Sequence, residues 1–221
     1  MHFTEEYFKS FKYSQREQLI KRHIFETLRW ASKISGSELL NGKGKTALDV
    51  GCAYGYAVNF LSSLGYHAYG IDISKHGIKK AKRLHPADFL ISDVQTGLPF
   101  KKDFFNLITC FEVLEHLLNP LQALRNMFAL CNGIMICTTP NRLVEKPIKK
   151  IVRDFDETHV SVKTEDEWGE CIKKLNSAFF IVEAFFDANL KVGDKLLFKS
   201  LHIPYFGLNL RILIKKYGDS P

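Results

Sequence analysis

The stretch Leu48-Asp-Val-Gly-Cys-Ala-Tyr-Gly55 decides the fold of this chain. An apolar run at residues 46–50 leads into a turn with two glycines, and residues 55–64 then have the spacing of an amphipathic helix. Glycine lets the backbone approach a ligand closely, and the first amide groups of a helix have no partner inside the helix. The stretch therefore predicts a strand, a ligand-binding turn and a helix, in that order.

The same alternation of short apolar runs and amphipathic stretches continues along the chain. It is typical of strands joined by helices, which form a mainly parallel sheet with helices on both faces. The predicted strands are residues 46–50, 67–71, 89–91, 104–111, 133–137, 179–187 and 208–214, with 188–207 as a connection. The sequence thus predicts a doubly wound α/β fold with a seven-stranded, mainly parallel sheet.

Three of the predicted helices begin with capping signals. Ser74 precedes the helix at 75–84, and Asn119-Pro120 opens another with a capping side chain followed by proline. The run Thr164-Glu-Asp-Glu167 has the spacing of a capping box. Ahead of the sheet, residues 4–34 are predicted to be helical.

Composition and charge exclude several classes of protein. The chain has 221 residues, 46% of them hydrophobic and 25% charged, which is typical of one soluble globular domain. No stretch approaches the roughly 18 apolar residues of a membrane span, and the N-terminus lacks a secretory signal, so we expect a cytoplasmic protein. The five cysteines form no Cys-x-x-Cys pair, which argues against a disulfide framework and a thiolate zinc site. The net charge of +7 favours anionic partners without identifying nucleic acid.

An acidic residue at the end of the second predicted strand adds a second signal. Asp72 follows Gly51 by 21 residues, where a carboxylate would meet the ribose hydroxyls of a nucleotide-like cofactor. A dinucleotide site is not indicated, because Gly-x-Gly-x-x-Gly would need glycine where Ala53 and Tyr56 stand. The pattern points to a cofactor with a ribose but no tightly packed pyrophosphate.

These motifs resemble those of class I S-adenosylmethionine-dependent methyltransferases, which have a Rossmann-like fold. Beyond the first stretch, Tyr69-Gly-Ile-Asp-Ile-Ser74 looks like the second-strand motif of that family and Ser92-Asp-Val-Gln-Thr-Gly-Leu-Pro-Phe100 like its adenine-side segment. The run from Phe104 to Leu117 resembles the fourth-strand motif. The resemblance covers residues 46–141 and implies that the last strand is antiparallel.

The resemblance implies S-adenosylmethionine as the cofactor and a set of residues around it. The implied cofactor-binding residues are Asp49, Gly51, Cys52, Gly55, Asp72, Ile73, Asp93, Val94, Cys110 and Glu112. The family commonly has glycine where Ala53 stands. We therefore expect either a negative φ at Ala53 or a slightly displaced cofactor.

Three further residues are candidates for catalysis: Glu115, His116 and His159. The first two follow the fourth strand and the third lies in the connection after the fifth, so all three can meet at the carboxyl edge of the sheet. Three roles stay open for them. Glu115 and His116 could pack and hydrogen-bond the turn, with Glu112 near the cofactor, or His116 or His159 could act as a general base. All three could also bind a divalent cation together with Glu112, as the similarity to small-RNA 2′-O-methyltransferases and some quinone-precursor O-methyltransferases implies. No metal is assigned from the sequence.

The sequence favours a methyltransferase with a small-molecule or lipid-like acceptor. Two alternatives remain: an RNA methyltransferase with metal-assisted 2′-O transfer, which the basic cluster at 142–153 would suit, and a non-catalytic cofactor-binding module. We expect one domain with a helical lid at 1–40, a cofactor-binding core at 46–141, and a substrate-side loop, helix and last strands at 142–221. The oligomeric state is left open.

Overall fold

The computed structural model describes residues 3–145, 158–175, 178–192, 195–202 and 207–216. For residues 178, 187–192 and 195–202 it describes the course of the backbone. Within these ranges no helix is long and apolar enough to cross a membrane.

The described strands form one eight-stranded sheet in the order β3-β2-β1-β4-β5-β8-β6-β7. Their bounds are β1 Thr46–Val50, β2 His67–Asp72, β3 Asp88–Ile91, β4 Phe105–Phe111, β5 Cys131–Pro140, β6 Ala178–Val192, β7 Lys195–His202 and β8 Asn209–Lys216. Strands β1 to β5 pair in parallel, whereas β8 is antiparallel to both β5 and β6. The predicted doubly wound α/β fold is confirmed, with one strand more than the seven predicted.

Helices cover both faces of this sheet. They are α1 Glu5–Ser10, α2 Glu17–Ser35, α3 Tyr56–Ser63, α4 Lys75–Leu84, α5 Pro120–Leu130 and α6 Glu165–Lys173, with 3-10 turns at Tyr13–Gln15 and Leu114–His116. One buried apolar cluster includes Met127 of α5 and Trp168 of α6, and the other includes Ile24 of α2, Leu61 of α3 and Ile78 of α4. The sheet is therefore buried between two helical layers, and its carboxyl edge is left for ligands.

The three predicted helix starts are confirmed. The Ser74 hydroxyl accepts from the Gly77 amide at 3.0 Å, and the Asn119 side chain accepts from the Gln122 amide at 3.1 Å. Thr164 forms both bonds of a capping box at the start of α6. Each such cap stabilises a helix by about 1 kcal/mol.

The prediction of a plain connection at 188–207 is wrong. Strand β6 continues to Val192, and β7 returns beside it in antiparallel register, from Phe185 opposite His202 to Val192 opposite Lys195. The two strands form a long hairpin at the end of the sheet, which accounts for the eighth strand.

The prediction of one continuous helix over residues 4–34 is also wrong, because the helix is interrupted at residues 11–16. Lys12 has a left-handed φ of 48°, and a 3-10 turn separates α1 from α2. The break brings the Tyr13 ring parallel to that of Tyr56, with ring centroids 5.8 Å apart. The contact of Tyr13 with Tyr56 of α3 thus outweighs the helix propensity of the interrupted segment.

Candidate functional site

A cavity of about 830 Å³ opens at the carboxyl edge of the sheet. Its floor includes Gly51 after β1, Asp72 at the end of β2 and Glu112 after β4. Its roof includes Tyr7 of α1 and Ile20 of α2. The volume lies within the range of about 300–1,000 Å³ that is usual for small-molecule and cofactor sites.

Asp72 is held rigidly at the floor of this cavity. One carboxylate oxygen accepts from the Ala53 amide at 2.8 Å and the other from the Ser74 amide at 2.7 Å. Burial raises the pKa of Asp72, and the two backbone hydrogen bonds oppose that shift. A carboxylate has about four acceptor positions, so Asp72 keeps acceptor capacity for two ribose hydroxyls.

Gly51 and Gly55 serve the packing of the turn as much as any ligand. Gly51 has a φ of 74°, and a Cβ there would lie 2.2 Å from Val113 Cγ2. Gly55 has a φ of 79°, and its Cβ would lie 2.7 Å from the Phe89 ring. The first stretch therefore needs both glycines for the fold itself, because a side chain at either position would overlap a neighbour.

Two residues beside the cavity have a left-handed backbone without being glycine. Ala53 has a φ of 47° and Glu112 a φ of 54°. Of the two alternatives expected at Ala53, the negative φ is wrong, and a slightly displaced cofactor stays a prediction. A left-handed conformation costs about 1–2 kcal/mol in a residue with a Cβ.

The predicted cofactor residues fall into two layers. Those that line the cavity are Gly51, Asp72, Ile73, Asp93, Val94 and Glu112. The other four, Asp49, Cys52, Gly55 and Cys110, do not line it and lie in the turn and strands beneath. The second layer can support the site through the backbone rather than touch a ligand.

Asp49 shows what this lower layer contributes. Its carboxylate accepts from the Thr109 hydroxyl at 2.7 Å and is 3% exposed. Burial raises its pKa to about 7, while the bond from Thr109 opposes the shift. Asp49 therefore introduces a destabilising buried charge at neutral pH, directly below the turn that carries Gly51.

The segment after β3 is fastened to α5. Asp93 accepts from the Gln95 amide at 2.8 Å, and the Gln95 side chain accepts from the Asn119 amide at 2.8 Å. The Asn126 side chain donates to the Val94 carbonyl at 2.8 Å. These bonds fix the loop that corresponds to the adenine-side segment of the family resemblance.

Glu115, His116 and His159 meet at the opposite side of the cavity floor. One ligand atom of each lies within 4.8 Å of those of the other two, and His116 Nε2 is 3.9 Å from Glu115 Oε1. The Val160 and Ser161 amides both donate to the Glu115 carbonyl at 2.9 Å, which brings the second segment to the first. The predicted convergence is therefore present in the structure.

Burial makes the Glu115 carboxyl the group of this cluster most suited to bind a proton or a cation. Its side chain is fully buried, and among the described residues neither oxygen meets the geometry of a hydrogen bond. Burial raises its pKa well above 4.5, the charge of Glu112 adds to this, and the Thr139 hydroxyl and the Glu115 amide oppose it. A buried carboxyl beside two imidazoles can take part in proton transfer or ligate a divalent cation.

No sequence motif pointed to His23. His23 lines the cavity from α2, and its ring centroid is 5.9 Å from those of Phe111 and Phe185. A signal was available, because Arg16, Ile20 and His23 have the i, i+4, i+7 spacing of one helix face. All three line the cavity.

The N-terminal segment closes the cavity from above. The Ser74 hydroxyl donates to the Phe3 carbonyl at 2.5 Å. The Phe3 ring meets His116 edge to face, with ring centroids 5.5 Å apart, and meets Tyr7 at 5.0 Å. The roof is thus attached both to the Asp72 side and to the Glu115 side.

Comparison with known families identifies the family of this chain. Residues 20–178 match a family model described as a methyltransferase domain. The chain belongs to this family. The recognised resemblance to class I methyltransferases is thereby confirmed, with S-adenosylmethionine as the cofactor that such enzymes use.

Curated relatives match about half of the chain. The ubiquinone biosynthesis O-methyltransferase of Vibrio vulnificus is 29% identical over 117 residues, which cover 49% of this chain and 49% of that protein. The corresponding enzyme of Haemophilus ducreyi is 27% identical over 113 residues, 46% of this chain and 48% of that protein. The chain therefore spans about half the length of the curated relatives that it matches.

Solved structures match nearly the whole chain at low identity. An S-adenosylmethionine-dependent methyltransferase from Archaeoglobus fulgidus has a TM-score of 0.69 and 16% identity, covering 95% of this chain and 100% of that one. The magnesium protoporphyrin IX methyltransferase of Synechocystis PCC 6803, solved with bound SAH, has a TM-score of 0.66 and 16% identity, covering 97% and 96%. These matches confirm the fold.

Proposed function

We propose that this chain transfers a methyl group from S-adenosylmethionine to a small-molecule or lipid-like acceptor. The observation that carries the proposal is one continuous cavity that joins the rigid Asp72 carboxylate to the Glu115 cluster. A methyltransferase needs this arrangement, because catalysis consists chiefly of holding the acceptor in line with the donor and excluding water.

The cofactor fits the side of the cavity that Asp72 and Asp93 line. Asp72 would accept from the ribose hydroxyls, and the fixed Asp93 and Val94 segment would adjoin the adenine ring. When bound, S-adenosylmethionine supplies a methyl group on a positively charged sulfur. In this proposal residues 46–141 are the cofactor-binding core and residues 1–40 the lid of a single domain.

The acceptor would occupy the part of the cavity beside the Glu115 cluster, where the Phe3 ring meets His116 edge to face. Leu19 and Ile20 of α2 and Phe111 at the end of β4 add apolar surface to the cavity. Such walls suit an aromatic or lipid-like molecule. The names of the Vibrio and Haemophilus relatives support an oxygen as the accepting atom.

Glu115, His116 and His159 are the proposed catalytic residues. An acceptor hydroxyl would lose its proton to this cluster as its oxygen bonds to the methyl carbon and the carbon–sulfur bond breaks, leaving S-adenosylhomocysteine. The proton would then return to solvent. The same three residues fit a divalent cation, since they combine one fully buried carboxyl group with two imidazoles whose ligand atoms lie within 4.8 Å of one another.

The RNA alternative has weaker support. None of the relatives named above has a name that mentions RNA. Apolar lining residues such as Leu19 and Ile20 also suit a nucleotide backbone poorly. Most of the basic cluster at 142–153 lies outside the described residues and does not bear on this choice.

The experiment that tests the proposal is a screen with S-[methyl-³H]adenosylmethionine. Pools of phenols, quinone precursors, fatty acids and total RNA are offered separately, and labelled products are identified by mass. We expect transfer to a phenol or lipid pool, and a loss of about 10²- to 10⁴-fold in the His116→Ala, His159→Ala double variant. Transfer to RNA alone would overturn the acceptor class, and cofactor binding without transfer would favour the non-catalytic module.

The same assay distinguishes a base from a metal site. If the cluster binds a divalent cation, EDTA abolishes transfer and an added cation restores it. If the cluster acts as a base, EDTA has no effect. If the double histidine variant retains full transfer and full cofactor binding, the cluster takes no part and positioning alone explains catalysis.

A further inference from the structure

Glu145 contacts one of the proposed catalytic histidines directly. Its Oε1 lies 2.5 Å from His159 Nδ1, across 14 residues of chain. Both side chains are nearly buried, with 12% of Glu145 and 14% of His159 exposed. Glu145 lies within the basic cluster at 142–153, and none of the motifs assigns it a function.

The contact with Glu145 determines which ring nitrogen of His159 carries the proton. An ionised carboxylate can only accept a hydrogen bond, so His159 Nδ1 must carry the proton that it shares with Glu145. A neutral imidazole carries one N–H, which leaves Nε2 as the nitrogen with the lone pair. That nitrogen is the one that can accept a proton or ligate a cation.

His116 is held in a similar way by a neighbouring residue. The Thr158 hydroxyl lies 2.8 Å from His116 Nδ1, and the Thr158 carbonyl lies 3.3 Å from the same atom. A carbonyl only accepts, which favours the proton on Nδ1 here too. His116 Nε2 is then the atom 3.9 Å from Glu115.

Both histidines are therefore held in the same tautomer by partners on the other side of each ring. The rings lie 4.8 Å apart and 70° inclined, so they approach Glu115 from different directions. Carboxylates that orient a histidine in this way occur in nucleophilic sites and in metal sites alike.

We propose that Glu145 is a positioning residue that holds His159 with its Nδ1 proton toward Glu145 and its Nε2 lone pair toward the reacting groups. The proposal rests on the proposed function for its effect on catalysis, but not for its statement about the tautomer. Glu145 itself touches neither the donor nor the acceptor.

The first test is histidine NMR on the full-length protein. Two-bond ¹H–¹⁵N spectra at pH 8, with His159 assigned by comparison with His159→Gln, report which ring nitrogen carries the proton. We expect an Nδ1–H tautomer for His159 in the wild type, and a loss of that preference in Glu145→Leu, which keeps a similar volume but removes the acceptor. An Nε2–H tautomer in the wild type, or an unchanged spectrum in the variant, would overturn the proposal.

The second test uses the methyl-transfer assay on the same variant. With the best acceptor from the screen, we expect Glu145→Leu to lower kcat by about 10- to 100-fold, with little change in cofactor affinity by calorimetry. Unchanged kcat would overturn the positioning role. Equal losses in kcat, in cofactor affinity and in Tm would also overturn it, because they would indicate structural damage.

Glu170→Leu is the matched control. Glu170 lies on α6, pairs with Lys173 and is 67% exposed, so the same change of charge there should leave spectrum and kcat as in the wild type. If the wild type transfers methyl to no acceptor, the proposed function fails, while the tautomer of His159 still decides the present proposal.

Discussion

The two sides of the cavity are built in different ways. On the cofactor side, Asp72 is held by the amide of Ser74, two residues away, and by the turn after the neighbouring strand. On the catalytic side, Glu115 holds a segment 45 residues further on through the Val160 amide, and Phe3 packs on His116 from the other end of the chain. The first side is fixed by local turns, and the second by contacts between distant segments.

This difference predicts how each side responds to substitution. Substitutions in the turns around Asp72 should change cofactor affinity or the free energy of unfolding through the contacts of those turns alone. On the side of Glu115, activity should also respond to substitutions in segments far along the chain.

The largest expected effect is that of Asp72→Ala on cofactor binding. The variant loses two hydrogen bonds to a charged acceptor, each worth about 1.5–3 kcal/mol, so affinity for S-adenosylmethionine should fall about 100-fold or more. Calorimetry measures this directly. Asp88→Ala removes an aspartate whose side chain is 63% exposed and should bind as the wild type does.

Asp72→Asn sharpens the same comparison. Asparagine keeps an acceptor oxygen but brings an N–H group to the place where the Ala53 or Ser74 amide donates. Binding should therefore fall as well, by less than in the alanine variant. Equal affinity of the wild type and both variants would contradict the role of Asp72.

The second prediction concerns stability against pH. Asp49 has its pKa raised to about 7 in the folded protein from 3.8, so the folded state holds this proton more tightly than the unfolded state does. Its contribution is most favourable below about pH 4 and declines as pH rises through about 7, by up to about 4 kcal/mol. Asp49→Asn, whose side-chain oxygen can still accept from Thr109, should remove that decline.

Urea unfolding of the ligand-free protein between pH 4 and pH 8 measures the effect. The difference in unfolding free energy between wild type and Asp49→Asn should grow with pH in favour of the variant. A difference that stays constant over this range would show that Asp49 does not titrate there.

Gly51→Ala should destabilise the fold by about 2–3 kcal/mol. The left-handed backbone accounts for about 1–2 kcal/mol, and the overlap with Val113 adds to it. Adding Val113→Ala should relieve the overlap and leave the backbone component. Gly97→Ala, where a Cβ would meet nothing within 4 Å, is the matched control and should be nearly neutral.

The smallest expected effect is that of Ala53→Gly. Ala53 and Ala57 are both 7% exposed, but Ala53 has a left-handed φ of 47° whereas Ala57 lies within α3. Glycine relieves strain at 53 and weakens the helix at 57, so Ala53→Gly should be more stable than Ala57→Gly by at least about 1 kcal/mol. Equal unfolding midpoints would show that the turn is not strained.

Most of the fold could be predicted from the sequence, because its signals act over a few residues. The caps at Ser74, Asn119 and Thr164 each bond an amide three residues on or nearer. The hairpin of β6 and β7 was missed although residues 187–192 alternate polar and apolar side chains, as a strand does. A long preceding apolar run suggested that the strand had already ended.

The candidate site was predictable only in part, for the same reason. Asp72 and Glu115 stand at strand ends, where a motif identifies them. His23 reaches the cavity through the packing of α2, and Glu145 meets His159 across a long connection. Such contacts depend on how the elements are arranged in space, which local patterns do not encode.

The hydrogen bond between Ser74 and Phe3 has a kinetic consequence. Ser74 donates to Phe3 through its hydroxyl and to Asp72 through its amide, and the Phe3 ring packs on His116. A molecule that leaves the cavity past Phe3 has to break these Phe3 contacts as well as its own contacts with the floor. Opening at Phe3 therefore adds to the barrier that sets the residence time of a molecule bound on this side.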